Sequence, residues 1–460
     1  MVTTGLNRRW MQTLDKYLEL YQSNREQIGR DDPPFLTEQR ELAIAAFRRS
    51  GFPERKEERY KYTHLEPVFD GDLNFEFEPR QIFFDDDDLF RCDVPQLDSV
   101  VLTVLNGFYY HPGTEPLTLM DNGVIYGSLR EAIHQYPELV ERHLGRNASS
   151  ENEPFVALNT AFSRDGIFLY VPKGTHLDKP VQIINLLLSD KSQMVQHRNL
   201  IVLEDSAVAE VIICDHTLSS QMFLTNSVTE VFTGENANLD LLRLQNEHNN
   251  SCQVTNTWIS QERDSHLQHG TITLHGGIVR NNLRINMKGE GSETYALGLF
   301  LTDKMQHVDN YTIIDHSKPH CTSNQFYKGV LDDSSTGAFS GMIHVHRDAQ
   351  KTEAFQTNNN ILLTDTARMH SKPRLEIYAD DVKCSHGATV GQLDEDALFY
   401  LQSRGIPKAD SRLMLMDAFT WDVVSKIKQH SLQERITELV ARRLRGELSR
   451  CNNCAMRCED

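Results

Sequence analysis

From Gly166 onward, short runs rich in Val, Ile, Leu, Phe and Thr alternate with clusters of Asn, Gly, Asp and Ser, the pattern of strands separated by polar turns. The units resemble one another. Glu204-Asp-Ser-Ala-Val-Ala-Glu-Val-Ile-Ile213 is similar to Gly234-Glu-Asn-Ala-Asn-Leu-Asp-Leu-Leu242, Arg263-Asp-Ser-His-Leu-Gln-His-Gly-Thr-Ile272 and Gly289-Glu-Gly-Ser-Glu-Thr-Tyr-Ala-Leu297, and a looser copy starts at Asp333. The first four begin at 204, 234, 263 and 289, steps of 30, 29 and 26 residues. A second strand-like run, such as Phe223 to Phe232, falls within each step. A turn, a strand, a turn and a strand at near-constant period predict a coiled β solenoid, whose rungs share one core because no rung buries its apolar side alone. The end rungs should present bare strand edges. A sandwich or barrel would not require the repeat.

Both ends of the chain read as helical. Trp10, Leu14, Tyr17, Leu18 and Tyr21 fall on one helix face; Pro33-Pro34 breaks that helix, and a second is expected from an N-cap at Thr37 to Arg49, ended by Gly51 and Pro53. The charged stretch from Pro53 to Thr63 reads as a solvated face. Between these helices and the repeat, Val100 to Leu105 reads as a strand before an Asn106-Gly107 turn, and Ser128 with Glu131 has capping-box spacing. After the repeat, Asp394 is an expected N-cap, Gly405 and Pro407 a stop, and Ser431 with Glu434 a second capping box. Leu432, Ile436, Leu439, Val440 and Leu444 form an apolar stripe, part of which should pack on the solenoid and part of which is free for a partner. The chain thus divides into an N-terminal helical domain (residues 1–70), a mainly β solenoid core (71–392) and a C-terminal helical domain with a cysteine-containing tail (393–460).

Composition narrows the function. The net charge of -18 argues against a general nucleic-acid binder, which needs clustered Lys and Arg. The densest apolar run, Val181 to Leu188, is too short to span a membrane, and the first ten residues lack the apolar core of a signal peptide. Eight cysteines in 460 residues do not form a disulfide framework, so a reducing, cytoplasmic compartment is expected. No phosphate loop, nucleophile elbow or zinc-protease motif is present, and Asp85 to Asp88 reads as a solvated loop.

The chemistry concentrates where the solenoid stops. In Ala379-Asp-Asp-Val-Lys-Cys-Ser-His-Gly-Ala-Thr-Val-Gly391, Cys384 and His386 are two residues apart and share a face if the segment is extended. One thiol and one imidazole do not complete a metal site, so any metal or iron–sulfur cluster held there takes further ligands from elsewhere. His344 and His346 also share a face, a geometry suited to a divalent metal, although with nineteen histidines in the chain solvent-facing strand residues account for most such cases. His316, His320 and Cys321 form a weaker set. Cys92, Cys214 and Cys252 read as inert core thiols, and Cys451, Cys454 and Cys458 have three-thiolate spacing in a terminal tail. Asp380 and Asp381 imitate the paired acids of a solenoid carbohydrate-active enzyme, but adjacent residues of a strand point to opposite faces.

The block from Ala379 to Ile406 resembles the C-terminal signature of the SufB/SufD family of iron–sulfur cluster assembly proteins. Further agreement lies at Glu57 to Thr63, Ala157 to Phe162, Lys328-Gly329, Phe339 to Gly341 and Gln356 to Asn360. The resemblance implies a right-handed parallel β-helix flanked by helical ends, and it points to the SufD branch. Where SufB carries a cluster-building cysteine, the matching position here is Asn358. The resemblance further implies a non-catalytic scaffold that pairs with SufB through the solenoid ends; a homodimer is the alternative for the chain in isolation. His386, with Cys384 as a second candidate, would face a transient iron–sulfur cluster or iron shared with SufB. Residues of about 393–447 would dock the ATPase SufC, this chain itself holding no nucleotide.

Overall fold

The computed structural model of the protein describes residues 3–54, 56–80, 97–111, 113 and 115–447. Asp85 to Asp88, Cys92, Cys451, Cys454 and Cys458 lie outside the described residues.

The repeat is a two-sheet parallel solenoid. One sheet runs from Ile167–Val171 and Gln193–Leu203 through Phe223–Thr233, Cys252–Gln261, Ile278–Met287, His307–His316 and Thr336–Val345 to Arg368–Ile377. The other runs from Val181–Leu187 and Val208–Thr217 through Asn238–Asn246, His266–His275, Glu293–Thr302 and Thr322–Leu331 to Glu353–Leu362 and Lys383–Gly391. Successive strands alternate between the sheets, and each pairs in parallel with the strand one rung away.

The turns explain why the sequence repeats. Ser206, Asn236, Asp264, Gly291, His320 and Lys351 occupy equivalent turn positions with positive φ. Short polar side chains and glycine tolerate that left-handed conformation best. Each donates its backbone N–H to a carbonyl of the next turn: those of Glu235, Arg263, Glu290, Pro319, Gln350 and Asp381 in order. The looser copy at Asp333 differs: it opens Thr336–Val345, a strand of the opposite sheet, and so lies half a rung out of phase.

Alternation along the strands sends every second residue inward. On the side of the Ser206–Gly291 turns the interior is apolar, with Ile201, Val211, Ile213, Val231, Leu239 and Leu241 in one cluster. Each such buried side chain stabilises the stack by about 1.5–3 kcal/mol. Toward the other side the interior turns polar. Asp215, Arg243, Gln245, Gln253, Asn281 and Asn310 form a continuous hydrogen-bonded file. Close approach fixes Gly329 in this packing: a Cβ there would lie 2.3 Å from Cζ of Phe300 and 2.7 Å from Asn360 Oδ1. Gly329→Ala is therefore expected to destabilise the chain by about 1–3 kcal/mol, read as a lower urea midpoint at unchanged m-value.

Helices cover both outer faces. Thr3–Ile28, Pro34–Ser50, the short helix Glu66–Phe69 and the buried helix Pro154–Phe162 place Tyr17, Phe47, Phe69 and Phe155 against Met194, Leu224 and Val254 of the first sheet. The second helix begins at Pro34, not after Thr37, because proline at the first helical position has its φ preset and needs no amide partner. At the other face, Leu432, Ile436, Leu439 and Val440 of the helix His430–Leu444 are all buried on the second sheet, leaving none of these four for a partner. Its N-cap is Gln429, whose side-chain oxygen accepts the Leu432 N–H at 2.8 Å; the expected Ser431–Glu434 box falls inside the helix. The Asp394 and Ser128 caps and the Asn106–Gly107 hairpin turn form as expected.

The described part of the stretch from Pro53 to Thr63 is solvated only in part: Glu54, Lys56, Glu58 and Lys61 are exposed, while Pro53, Tyr60 and Thr63 are buried. It straps across the outside of the first sheet, with Tyr60 buried under the Arg280 guanidinium, 4.6 Å from its ring centroid. Thr63 hydrogen-bonds Asp309, Tyr62 stacks on His370, and Glu58 pairs with Lys372 of the last strand of that sheet. The aromatic residues interleaved with the charges supply the burial while the charged tips stay at the rim.

Candidate functional site

The two ends of the solenoid differ. At the start, short antiparallel strands finish each sheet: Leu117–Leu119 with Ile125–Ser128 on the first, Phe108–Tyr110 on the second. The bare edge expected there is replaced by these short strands. At the far end, Arg368–Ile377 and Lys383–Gly391 each pair on one side only and present unpaired parallel edges.

Cys384 and His386 sit on that last edge. They are the in-register partners of Ala354 and Gln356, whose side chains are buried in the solenoid. The pair therefore continues the inward-facing set of the rung below, but no further rung covers it. Cys384 is half-buried against the cluster of Ile343, Val345, Ala349 and Ala354, and burial pushes its thiol pKa up despite a hydrogen bond from the Ala354 backbone. His386 is exposed. Beneath it both polar atoms of the Gln356 side chain are buried without a partner, and Gly341 leaves room for that side chain, since a Cβ there would meet Nε2 at 2.1 Å. Asn358 is buried beside Gln356, its Oδ1 accepting from Asn360 Nδ2 at 2.8 Å and Ser371 Oγ at 2.6 Å. An imidazole and a thiol thus share an edge strand with a row of buried amides one rung below, and the two donors suit soft or borderline metal chemistry completed from outside.

The structure disperses most other candidates. His316 is buried on Ser323 Oγ at 2.8 Å, Cys321 is buried near Ser292, and His320 stands exposed on a turn, so the three form no ligand set. Asp380 and Asp381 are exposed turn residues, Asp381 paired with Lys351, so they make no catalytic pair. Cys214 and Cys252 are buried core thiols, and burial raises the Cys252 pKa. His344 and His346 instead converge on a third residue, Asp315, which accepts from both rings. Asp315 was not identified from sequence as a partner of His344, nor Gln356 as lying beneath His386. The rung period held the signal, since Asp315 precedes His344 by 29 residues and is its register partner.

Beyond the last strand the helices change character. Lys328 anchors Lys408–Val424 to the second sheet, its Nζ 2.9 Å from Phe419 O and 2.5 Å from the Asp422 carboxylate. Glu395–Ser403 buries no residue, and Phe399, Tyr400, Met414 and Trp421 are exposed along the pair of helices, Phe399 by 74%. No helix among the described residues is long and apolar enough to cross a membrane.

Two family models match the chain: the SufBD core domain of the SUF system for iron–sulfur cluster assembly over residues 186–419, and the SufBD protein N-terminal region over 11–183. The chain is 29% identical over 457 residues to an iron–sulfur cluster assembly SufBD family protein of Synechocystis, covering 96% of this chain and 98% of the relative. It is 28% identical to the iron–sulfur cluster assembly protein SufD of Escherichia coli over 86% of this chain and 90% of that one. To SufD of Bacillus subtilis it is 26% identical over 71% and 75%.

Proposed function

The chain belongs to the SufBD family of iron–sulfur cluster assembly proteins, and from that membership we propose that it is a non-catalytic, SufD-like scaffold working with a SufB-like paralogue and a SufC-like ATPase. One observation carries the reading: inward-facing donors, Cys384 and His386, lie uncovered at the unpaired end of the stack. A partner solenoid laid against this edge would cover the strands and complete the coordination sphere around a nascent cluster, which is cargo of the assembly. His386 is the first ligand supplied from this side and Cys384 the second. Burial raises the Cys384 thiol pKa, so binding as a thiolate requires the incoming cation to displace the proton. Asn358 holds the position matched to the SufB cysteine; its amide neither accepts sulfur nor ligates as a thiolate, so the partner provides that thiolate. In isolation a second copy of this chain is the available cover.

The exposed row Phe399, Tyr400, Met414 and Trp421 is the docking face for the ATPase. It adjoins the edge strand through Asp394, so movement of the docked ATPase would reach the cluster interface. Co-expression tests the proposal: the chain should co-purify with both partners, and Phe399→Asp should release the ATPase at least tenfold more readily while the paralogue stays bound and the melting temperature holds. Failure of the unaltered chain to join either partner removes the scaffold reading.

A further inference from the structure

On the outer face of the first sheet, beside its open end, Asp315, His344 and His346 form a group that the cluster interface does not use. Asp315 lies near the end of His307–His316, and His344, on Thr336–Val345, is its register partner. His346, two residues on, returns over the same carboxylate. Asp315 Oδ1 is 3.1 Å from His344 Nδ1 and 2.7 Å from His346 Nε2, and the two imidazole rings are 4.3 Å apart. One donor atom from each of the three residues lies within 4.8 Å of the others.

A cation held at about 2.0–2.2 Å by nitrogen and oxygen ligands needs those donors about 3.0–3.5 Å apart. The two oxygen–nitrogen spans already fall near that range, and the exposed ring of His346 is free to turn. Two imidazoles and one carboxylate, in a shallow and reachable site, are the donor set that holds borderline first-row divalent ions with positions to spare. The surroundings support it. Glu376, the register neighbour of His344 on the last strand, offers a second carboxylate on the same face. The Tyr378 ring stands edge-on to His344 at 5.6 Å and helps to fix its plane. Asp315 is the more buried of the pair it makes with His344, at 16% and 26% side-chain exposure, so the carboxylate forms the floor of the site and the rings its walls.

We propose that Asp315, His344 and His346 form a binding site for a borderline divalent cation of the Fe2+ or Zn2+ class, separate from the Cys384–His386 pair. It goes beyond the scaffold reading and stands or falls independently of it. The competing state is an ion pair alone, in which protonated rings share the carboxylate and no cation enters.

Zinc titration of the full chain by calorimetry decides between them. Wild type should bind one more equivalent than His346→Gln or Asp315→Asn, or bind that equivalent at least tenfold more tightly, while Cys384→Ser/His386→Ala keeps it. His346 is nearly half exposed, at 45%, so His346→Gln should melt at the wild-type temperature without metal and lack only the rise that zinc produces. Cobalt bound in this equivalent should show d–d bands without sulfur charge transfer. The proposal is overturned if His346→Gln and Asp315→Asn bind zinc as wild type does, if the equivalent disappears in Cys384→Ser/His386→Ala, or if it carries a thiolate band.

Discussion

His386→Ala is expected to fold and to enter the complex with its partners as the unaltered chain does, yet to lower cluster formation by that complex about ten- to a hundredfold. Loss of a group that only orients a ligand costs a metal site about that much, and His386 is placed to be a ligand itself. Its side chain is exposed on the last strand, so truncation opens no core cavity and the melting temperature should hold. Iron and sulfide bound per complex, with the visible absorbance of the assembled cluster, measure the outcome. Unchanged assembly would remove His386 from the proposed site. Cys384→Ser tests the second donor and should act more weakly, because the thiol is half-buried and burial raises its pKa, which opposes binding as a thiolate.

The largest expected loss of stability lies deep in the solenoid. Asp215→Ala should destabilise the chain by about 3–5 kcal/mol, since it leaves the Arg243 guanidinium buried without its counter-ion. Arg243 reaches Asp215 at 2.7 and 3.1 Å, and Asn185 and Gln253 add hydrogen bonds at 2.7 and 2.8 Å. Burial pushes the Asp215 pKa up, but Arg243 and these hydrogen bonds outweigh it and hold the carboxyl below its ordinary value. With a depressed folded pKa, the contribution is fully present above the unfolded value of about 3.9 and is lost as pH falls through the folded one. Urea unfolding of wild type and Asp215→Asn should therefore differ by a constant gap near neutral pH, and the gap should shrink progressively as pH falls below about 4. A gap that failed to shrink there would remove the charge argument.

These cases show which features the sequence carried openly. The solenoid was legible because its turn chemistry repeats: Ser206, Asn236, Asp264 and Gly291 meet one backbone demand at one period. The shared face of Cys384 and His386 was legible because both lie on a single strand. Features that depend on register between rungs were not. Asp315 meets His344 only after a full rung of chain, and Gln356 comes to lie beneath His386 only through strand pairing. The strap around Tyr60 was misread because its charges dominate the composition, while its burial comes from Arg280 more than two hundred residues away. At the tail, the Ser431–Glu434 spacing suited a cap, but a glutamine two residues earlier took the free amide first.

The unlike terminations of the stack limit what the chain builds. A rod with adhesive strands at both tips would add copies indefinitely and grow into a fibre. Among the described residues, Leu117–Leu119 and Phe108–Tyr110 blunt one tip with three residues apiece and leave the long template edges at the other, so joining through those edges would halt at two bodies.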